Sequence, residues 1–166
     1  NGVHLLPNGN FLLKSTKGLA VIVGSKPRLR RFPLLQSLDL KTIPLGGKAI
    51  LAQETAFNPR PVSDGSGAYY FPTDHYLVRW SQSPATGLMK KQFDWAFALP
   101  PDEPATLGVS NAVLIADEVC INTNPDETAA TRVYCVKQAT GSFSHSYAPF
   151  PSSRGNPGLH NLGVAK

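Results

Sequence analysis

The sequence predicts an all-β fold: an antiparallel sandwich or barrel, jelly-roll or immunoglobulin-like, with at most one short helix. Three observations lead there. The 166 residues include 15 Pro and 14 Gly, about one residue in six, which is far more than helix-rich domains accept. Several short runs alternate apolar and polar side chains with a period of two, as a half-buried strand requires. The two cysteines, Cys120 and Cys135, lie in two strand-like runs that fold onto each other about Asn124-Pro125-Asp126-Glu127.

Along the chain, Phe11–Lys14 and Leu19–Val23 flank the turn Ser15-Thr16-Lys17-Gly18 and read as a hairpin. A basic, proline-containing connection follows over residues 25–31. In residues 32–40 the spacing of Leu34, Leu35 and Leu38 predicts the one short helix. Residues 48–53 read as a strand, and Asn58-Pro59-Arg60-Pro61 with Ser63-Asp64-Gly65-Ser66-Gly67 as a long loop.

In residues 75–80, Tyr76, Val78 and Trp80 share one face, and His75, Leu77 and Arg79 the other. Residues 92–99 alternate more strictly, with Phe93, Trp95, Phe97 and Leu99 on one side, and are expected to form the central strand of a sheet. Pro100, Pro101 and Pro104 end that strand, because proline cannot donate to a ladder. Val- and Ile-rich runs at 107–121 and 132–138 and a short run at 142–147 complete the sheet. Residues 1–147 thus read as one β domain. Residues 148–166, with Pro149, Pro151, Pro157 and several Ser and Gly, read as an extended tail ordered only against another surface.

If Cys120 faces Cys135, then Ile121 meets Tyr134, Val119 meets Val136, and Glu118 meets Lys137, so opposite charges also pair across the ladder. This self-consistent register predicts a disulfide worth about 3 kcal/mol by loop entropy. A disulfide places the protein in an oxidising setting: extracellular, periplasmic, or the surface of a virion or particle. The longest uninterrupted apolar stretches are five residues, whereas a membrane-spanning helix needs about 20, so no span is expected. The first residue is Asn1 rather than Met, with no basic and apolar leader after it, so a processed or excised form is expected.

Charged residues make up only 16% of the chain, which favours association, and the net charge of +5 favours acidic partners. Lys26, Arg28, Arg30 and Arg31 concentrate that charge and suit phosphates or sulfates through charge-assisted hydrogen bonds. His75 and Asp74, near Tyr69, Tyr70 and Arg79, are the candidate acid–base pair, with His145 as a distant partner. Two cysteines with no CxxC or HxxxH companion complete no metal shell, and no cofactor motif occurs.

The favoured reading is therefore a non-enzymatic structural or interaction protein: a surface, fibre, pilus-like or shell subunit assembling with itself or other subunits through its β domain and extended termini. One alternative is a monomeric binding module for nucleic acid or an anionic glycan at the basic cluster. The other is a small secreted hydrolase using His75 and Asp74.

Overall fold

The computed structural model describes residues 2–27, 30–101, 112–123 and 132–147. They form three four-stranded antiparallel sheets, each a meander in which spatial order follows chain order. The first contains β1 (Gly2–Leu5), β2 (Phe11–Lys14), β3 (Leu19–Val23) and β4 (Leu34–Asp39). The second contains β5 (Val62–Ser63), β6 (Ala68–Pro72), β7 (Tyr76–Ser81) and β8 (Trp95–Ala98). The third contains β9 (Val113–Ile115), β10 (Glu118–Thr123), β11 (Arg132–Lys137) and β12 (Phe143–Tyr147).

Strand alternation distributes the side chains of the second sheet between two separate cores. Tyr69, Phe71, Val78 and Trp80 meet Leu12, Ala20 and Ile22 of the first sheet. Ala68, Tyr70, Leu77 and Trp95 meet Val119, Ile121, Tyr134 and Val136 of the third. The second sheet is therefore the filling of the stack, and Tyr69, Tyr70, Phe71, Leu77, Val78 and Trp80 are all at most 1% exposed. Burial of each such side chain contributes about 1.5 to 3 kcal/mol of transfer free energy. Polar ties reinforce both contacts. The Gln36 amide of β4 donates to the Met89 carbonyl and accepts from the Met89 N–H, both at 3.0 Å. The Trp95 indole donates to the Gln138 carbonyl at 2.9 Å.

The all-β, antiparallel expectation holds, but the described residues close no barrel, and three successive meanders stand where two facing sheets were expected. The hairpin of β2 and β3 is in place. The helix expected over residues 32–40 is instead β4, followed by a single 3-10 turn at Leu40–Thr42. A bulge in the β3–β4 pairing lets Leu34 face Val23 and shifts the register there, so the leucine spacing that mimics a helical period comes from an irregular strand. Residues 48–53 are turns rather than a strand, because Gly46 and Gly47 have positive φ and the chain reverses at a Leu45–Lys48 bridge.

Residues 92–99 yield β8, which is the edge of its sheet and not its centre. Phe93 precedes the strand and packs in the first core, while Trp95 and Leu99 pack in the second. The cysteine register is as expected: Cys120 opposes Cys135, Ile121 opposes Tyr134, Val119 opposes Val136 and Glu118 opposes Lys137, and the disulfide is formed. The loop 124–127, residues 102–111 and the tail 148–166 lie outside the described residues.

The turn from β11 to β12 depends on Gly141. Its φ is +70°, and a Cβ there would stand 2.5 Å from the Trp95 ring. Gly141→Ala should therefore destabilise the protein by at least about 2 kcal/mol, through a strained backbone and a displaced indole. Urea unfolding followed by tryptophan fluorescence tests this, and an unchanged midpoint would contradict the packing described.

Candidate functional site

The turn between β6 and β7 presents Thr73, Asp74 and His75, and residues 54–56 lie across it. The hydrogen bonds of Asp74 go to the loop before it. Its Oδ2 accepts from the Thr55 N–H at 2.9 Å, the Thr55 hydroxyl at 2.5 Å and the Ala56 N–H at 3.0 Å, which makes it a clamp on the preceding loop. The partner of His75 is Glu54, which sequence reasoning had not singled out. Glu54 Oε2 accepts from the His75 backbone N–H at 2.9 Å, and Oε1 lies 3.1 Å from Nδ1.

An ionised carboxylate only accepts, so Nδ1 carries the proton and Nε2 is left as the acceptor. Glu54 is buried while the His75 side chain is half exposed. The result is an imidazole fixed in one tautomer by a buried carboxylate, able to accept a proton or bind a ligand through Nε2. The donor atoms of Glu54, Asp74 and His75 lie within 4.8 Å of one another. Both Glu54 oxygens and Asp74 Oδ2 are nevertheless engaged by N–H and O–H donors, so these bonds by themselves account for the cluster.

The rings expected around His75 are dispersed. Tyr69 faces the first core and Tyr70 the second. Arg79 sits opposite Tyr70 with its guanidinium 5.9 Å from that ring, four residues or about 13 Å along the strand from His75. His145 lies on β12 in a different setting. Its Nδ1 is 3.2 Å from the Ser144 hydroxyl and 3.8 Å from Glu118 Oε2, and its ring stacks on Tyr147. Glu118 also accepts from Ser144 at 2.5 Å and Lys137 at 3.0 Å, and these bonds, the hydroxyl first, hold its carboxyl below the ordinary range. His75 and His145 thus each lie beside a different glutamate.

Lys26, Arg30 and Arg31 lie between β3 and β4 and are exposed; Arg28 lies outside the described residues. None of these three has a carboxylate partner among the described residues, whereas Lys90 pairs with Asp94 at 2.7 Å and Lys137 with Asp117 at 3.2 Å. An open depression of about 580 Å³ lies beside Gln36, Leu88, Lys90 and Lys91. Cys120 and Cys135 form the disulfide on the face of the third sheet turned away from the second, where they pack with Val133.

The cation least expected in its position is Lys14. It is 2% exposed, its amine donates to the Asn58 carbonyl, and it lies 4.6 Å from the Phe71 ring centroid and 5.7 Å from that of Phe57. Desolvation lowers its pKa to about 7. His4, whose Nε2 is 3.4 Å from the Pro59 carbonyl, is lowered by burial and by the Lys14 charge, while its contact with Pro59 opposes the shift. The alternation of Leu12 with Lys14 is the sequence signal that would have placed the lysine on the buried face.

No family model and no curated protein sequence matches the chain. Solved structures do. The β-propeller domain of Cps50 (Swd1) from Myceliophteria thermophila matches with TM-score 0.57 and 11% identity, over 90% of this chain and 41% of that one. Saccharomyces cerevisiae Sqt1 matches with TM-score 0.55 and 6% identity, over 88% and 35%. A europium-containing methanol dehydrogenase matches with TM-score 0.54 and 11% identity, over 82% and 22%. The chain spans about a fifth to two-fifths of the length of these structures. At such identities the likeness shows the fold: three four-stranded antiparallel sheets that resemble β-propeller blades.

Two predictions follow from the local geometry. Glu54→Ala should cost about 1 to 3 kcal/mol in urea unfolding, because it leaves the His75 N–H unsatisfied; Glu54→Gln, which keeps one acceptor, should cost less. Equal stability of the two variants would contradict the dyad. For Lys14, the folded pKa of about 7 lies below the unfolded value near 10.4, so only the unfolded state holds the proton between them. Stability should therefore rise with pH through that window, by up to about 4 to 5 kcal/mol, with the full penalty present below pH 7. Lys14→Met should gain stability at pH 6 and flatten the rise; a variant with wild-type pH dependence would contradict the burial of this amine.

Proposed function

We propose that this chain is a protein-interaction module of propeller-blade construction, working in an oxidising compartment and associating through its sheets. The observation that carries this reading is the amount of apolar surface left outside the cores. Val3, Leu5, Leu19, Phe32 and Leu34 are each more than half exposed, although the fold has two well-filled cores. The likeness to the Cps50 propeller domain supports the same reading, as does the low charge content, and the disulfide supports an extracellular or periplasmic location. No helix among the described residues is long and apolar enough to cross a membrane.

A second reading, a binder of nucleic acid or anionic glycan, is favoured by the exposed Lys26, Arg30 and Arg31, which have no carboxylate partner among the described residues. Salt separates the two. Light scattering and sedimentation of the purified chain should show association that persists at about 0.5 M NaCl, where screening is confined to a few ångströms. Binding of a labelled single-stranded oligonucleotide or heparin should be weak and lost at that salt. Tight, steeply salt-dependent binding by a monomer would replace the first reading with the second.

A further inference from the structure

The outward face of the third sheet gathers four residues whose side chains bind metals. Cys120 of β10, Cys135 of β11 and His145 of β12 stand in one row across three neighbouring strands, since Cys120 opposes Cys135 and Cys135 opposes His145. Glu118 lies two residues before Cys120 and therefore projects from the same face. An extra residue in β12, Ser144, shifts the register beside Cys135, and both Ser144 and His145 reach Glu118. The Ser144 hydroxyl donates to Oε1 at 2.5 Å, and His145 Nδ1 lies 3.8 Å from Oε2. A carboxylate oxygen of Glu118 and the two sulfurs all lie within 4.8 Å of one another.

The cysteines have no CxxC or HxxxH companion along the chain, but strand pairing supplies the companions from elsewhere. Two thiolates, an imidazole and a carboxylate are a donor set that zinc takes, with bonds that put the ligand atoms roughly 3.3 to 3.8 Å apart in a tetrahedral shell. The His145–Glu118 separation is already at the upper end of that range. The sulfurs and the carboxylate need shifts of about 1 to 2 Å, which rotation about their Cα–Cβ bonds provides. Nor is Glu118 held as Glu54 and Asp74 are. Those two accept from backbone N–H groups of His75, Thr55 and Ala56, whereas the donors to Glu118, Ser144 and Lys137, are side chains that can turn away.

We propose that reduction of the Cys120–Cys135 disulfide converts this row into a tetrahedral zinc site, with Cys120, Cys135, Glu118 and His145 as its ligands. The reductant is a dithiol. One of its thiolates attacks a cysteine sulfur, the S–S bond breaks, and its second thiol resolves the mixed disulfide, leaving two cysteine thiols and the oxidised, cyclic reductant. Zinc then binds both sulfurs as thiolates, and their two protons go to solvent. Two thiolates, one carboxylate and one divalent ion leave a single net negative charge, which the Lys137 ammonium, 3.0 Å from Glu118 Oε1, offsets. The ion enters over His145 and Glu118, whose side chains are 50% and 15% exposed, rather than over the buried sulfurs. It would replace the covalent link between β10 and β11 wherever the oxidising setting is lost. This inference stands apart from the interaction-module reading, which light scattering tests on the oxidised chain.

The test is titration of the whole chain with Co(II), a spectroscopic stand-in for zinc, after treatment with dithiothreitol and its removal under anaerobic conditions. Free thiols are counted first, and circular dichroism follows the fold. The reduced chain should take up one Co(II), with thiolate-to-metal charge-transfer bands and the intense visible bands of a tetrahedral site, all displaced by zinc. The oxidised chain should give neither set. Glu118→Gln and His145→Ala, prepared folded with the disulfide intact and then reduced, should each weaken binding by more than the roughly 10- to 100-fold that loss of a supporting residue costs. Cys120→Ser should remove the tetrahedral spectrum altogether.

Reduction that unfolds the chain, followed by Co(II)-induced recovery of the β spectrum together with the thiolate bands, would support the site as one coupled to folding. A disulfide that dithiothreitol does not open, or a reduced chain that takes up no metal, would overturn the proposal. So would thiolate bands indifferent to both Glu118→Gln and His145→Ala, because two sulfurs would then be acting without the rest of the shell. Equal Co(II) binding by the oxidised chain would place the metal elsewhere and overturn it too.

Discussion

Everything in this fold depends on the second sheet being buried on both faces. β6 is the clearest instance: Ala68, Tyr69, Tyr70 and Phe71 alternate between two cores, so a single strand of large side chains joins the first sheet to the third. Without it, the apolar faces that the first and third sheets now turn inward would stand in water, and neither core would have its second wall. The indole and amide ties at Trp95 and Gln36 add direction to contacts that burial alone leaves free to slide.

Features that rest on local pairing were legible from the residues. The register around Cys120 and Cys135 could be read because charge, size and sulfur chemistry all favour the same alignment across one hairpin. The two faces of β7 were likewise visible as alternation. What alternation does not contain is the number of sheets. A strand with an apolar set on one side reads the same whether it belongs to a two-sheet sandwich or to a stack of three. β6 escaped notice for a related reason: buried on both sides, it shows no polar phase to alternate with, and the Gly- and Pro-rich run before it reads as continuous loop. β8 was recognised as a strand but placed at the centre, because side-chain size records burial and not hydrogen-bonding neighbours.

The candidate site shows the same division. His75 stood out as a residue type, but its partner Glu54 lies 21 positions earlier, just past the segment 48–53 that reads as a strand and folds as turns. Asp74, adjacent in sequence, turned out to restrain the loop carrying Thr55. The dyad therefore joins a buried acid to a half-exposed imidazole through tertiary structure alone. Lys14 is the converse case, a charged residue in a strand whose alternation already implied burial. Its aromatic surroundings and one carbonyl hydrogen bond replace water only in part, which is why its affinity for a proton falls.

The stacked arrangement, with the second sheet as its shared core, is tested most directly by native-state hydrogen exchange resolved along the chain. The backbone amides of β6 and β7 should exchange last, with the free energy of global unfolding, and those of β1, β4 and β12 at the sheet edges should exchange earlier. Exchange of β6 and β7 ahead of the first or third sheet would mean that an outer sheet holds together without the middle one, and would contradict the account.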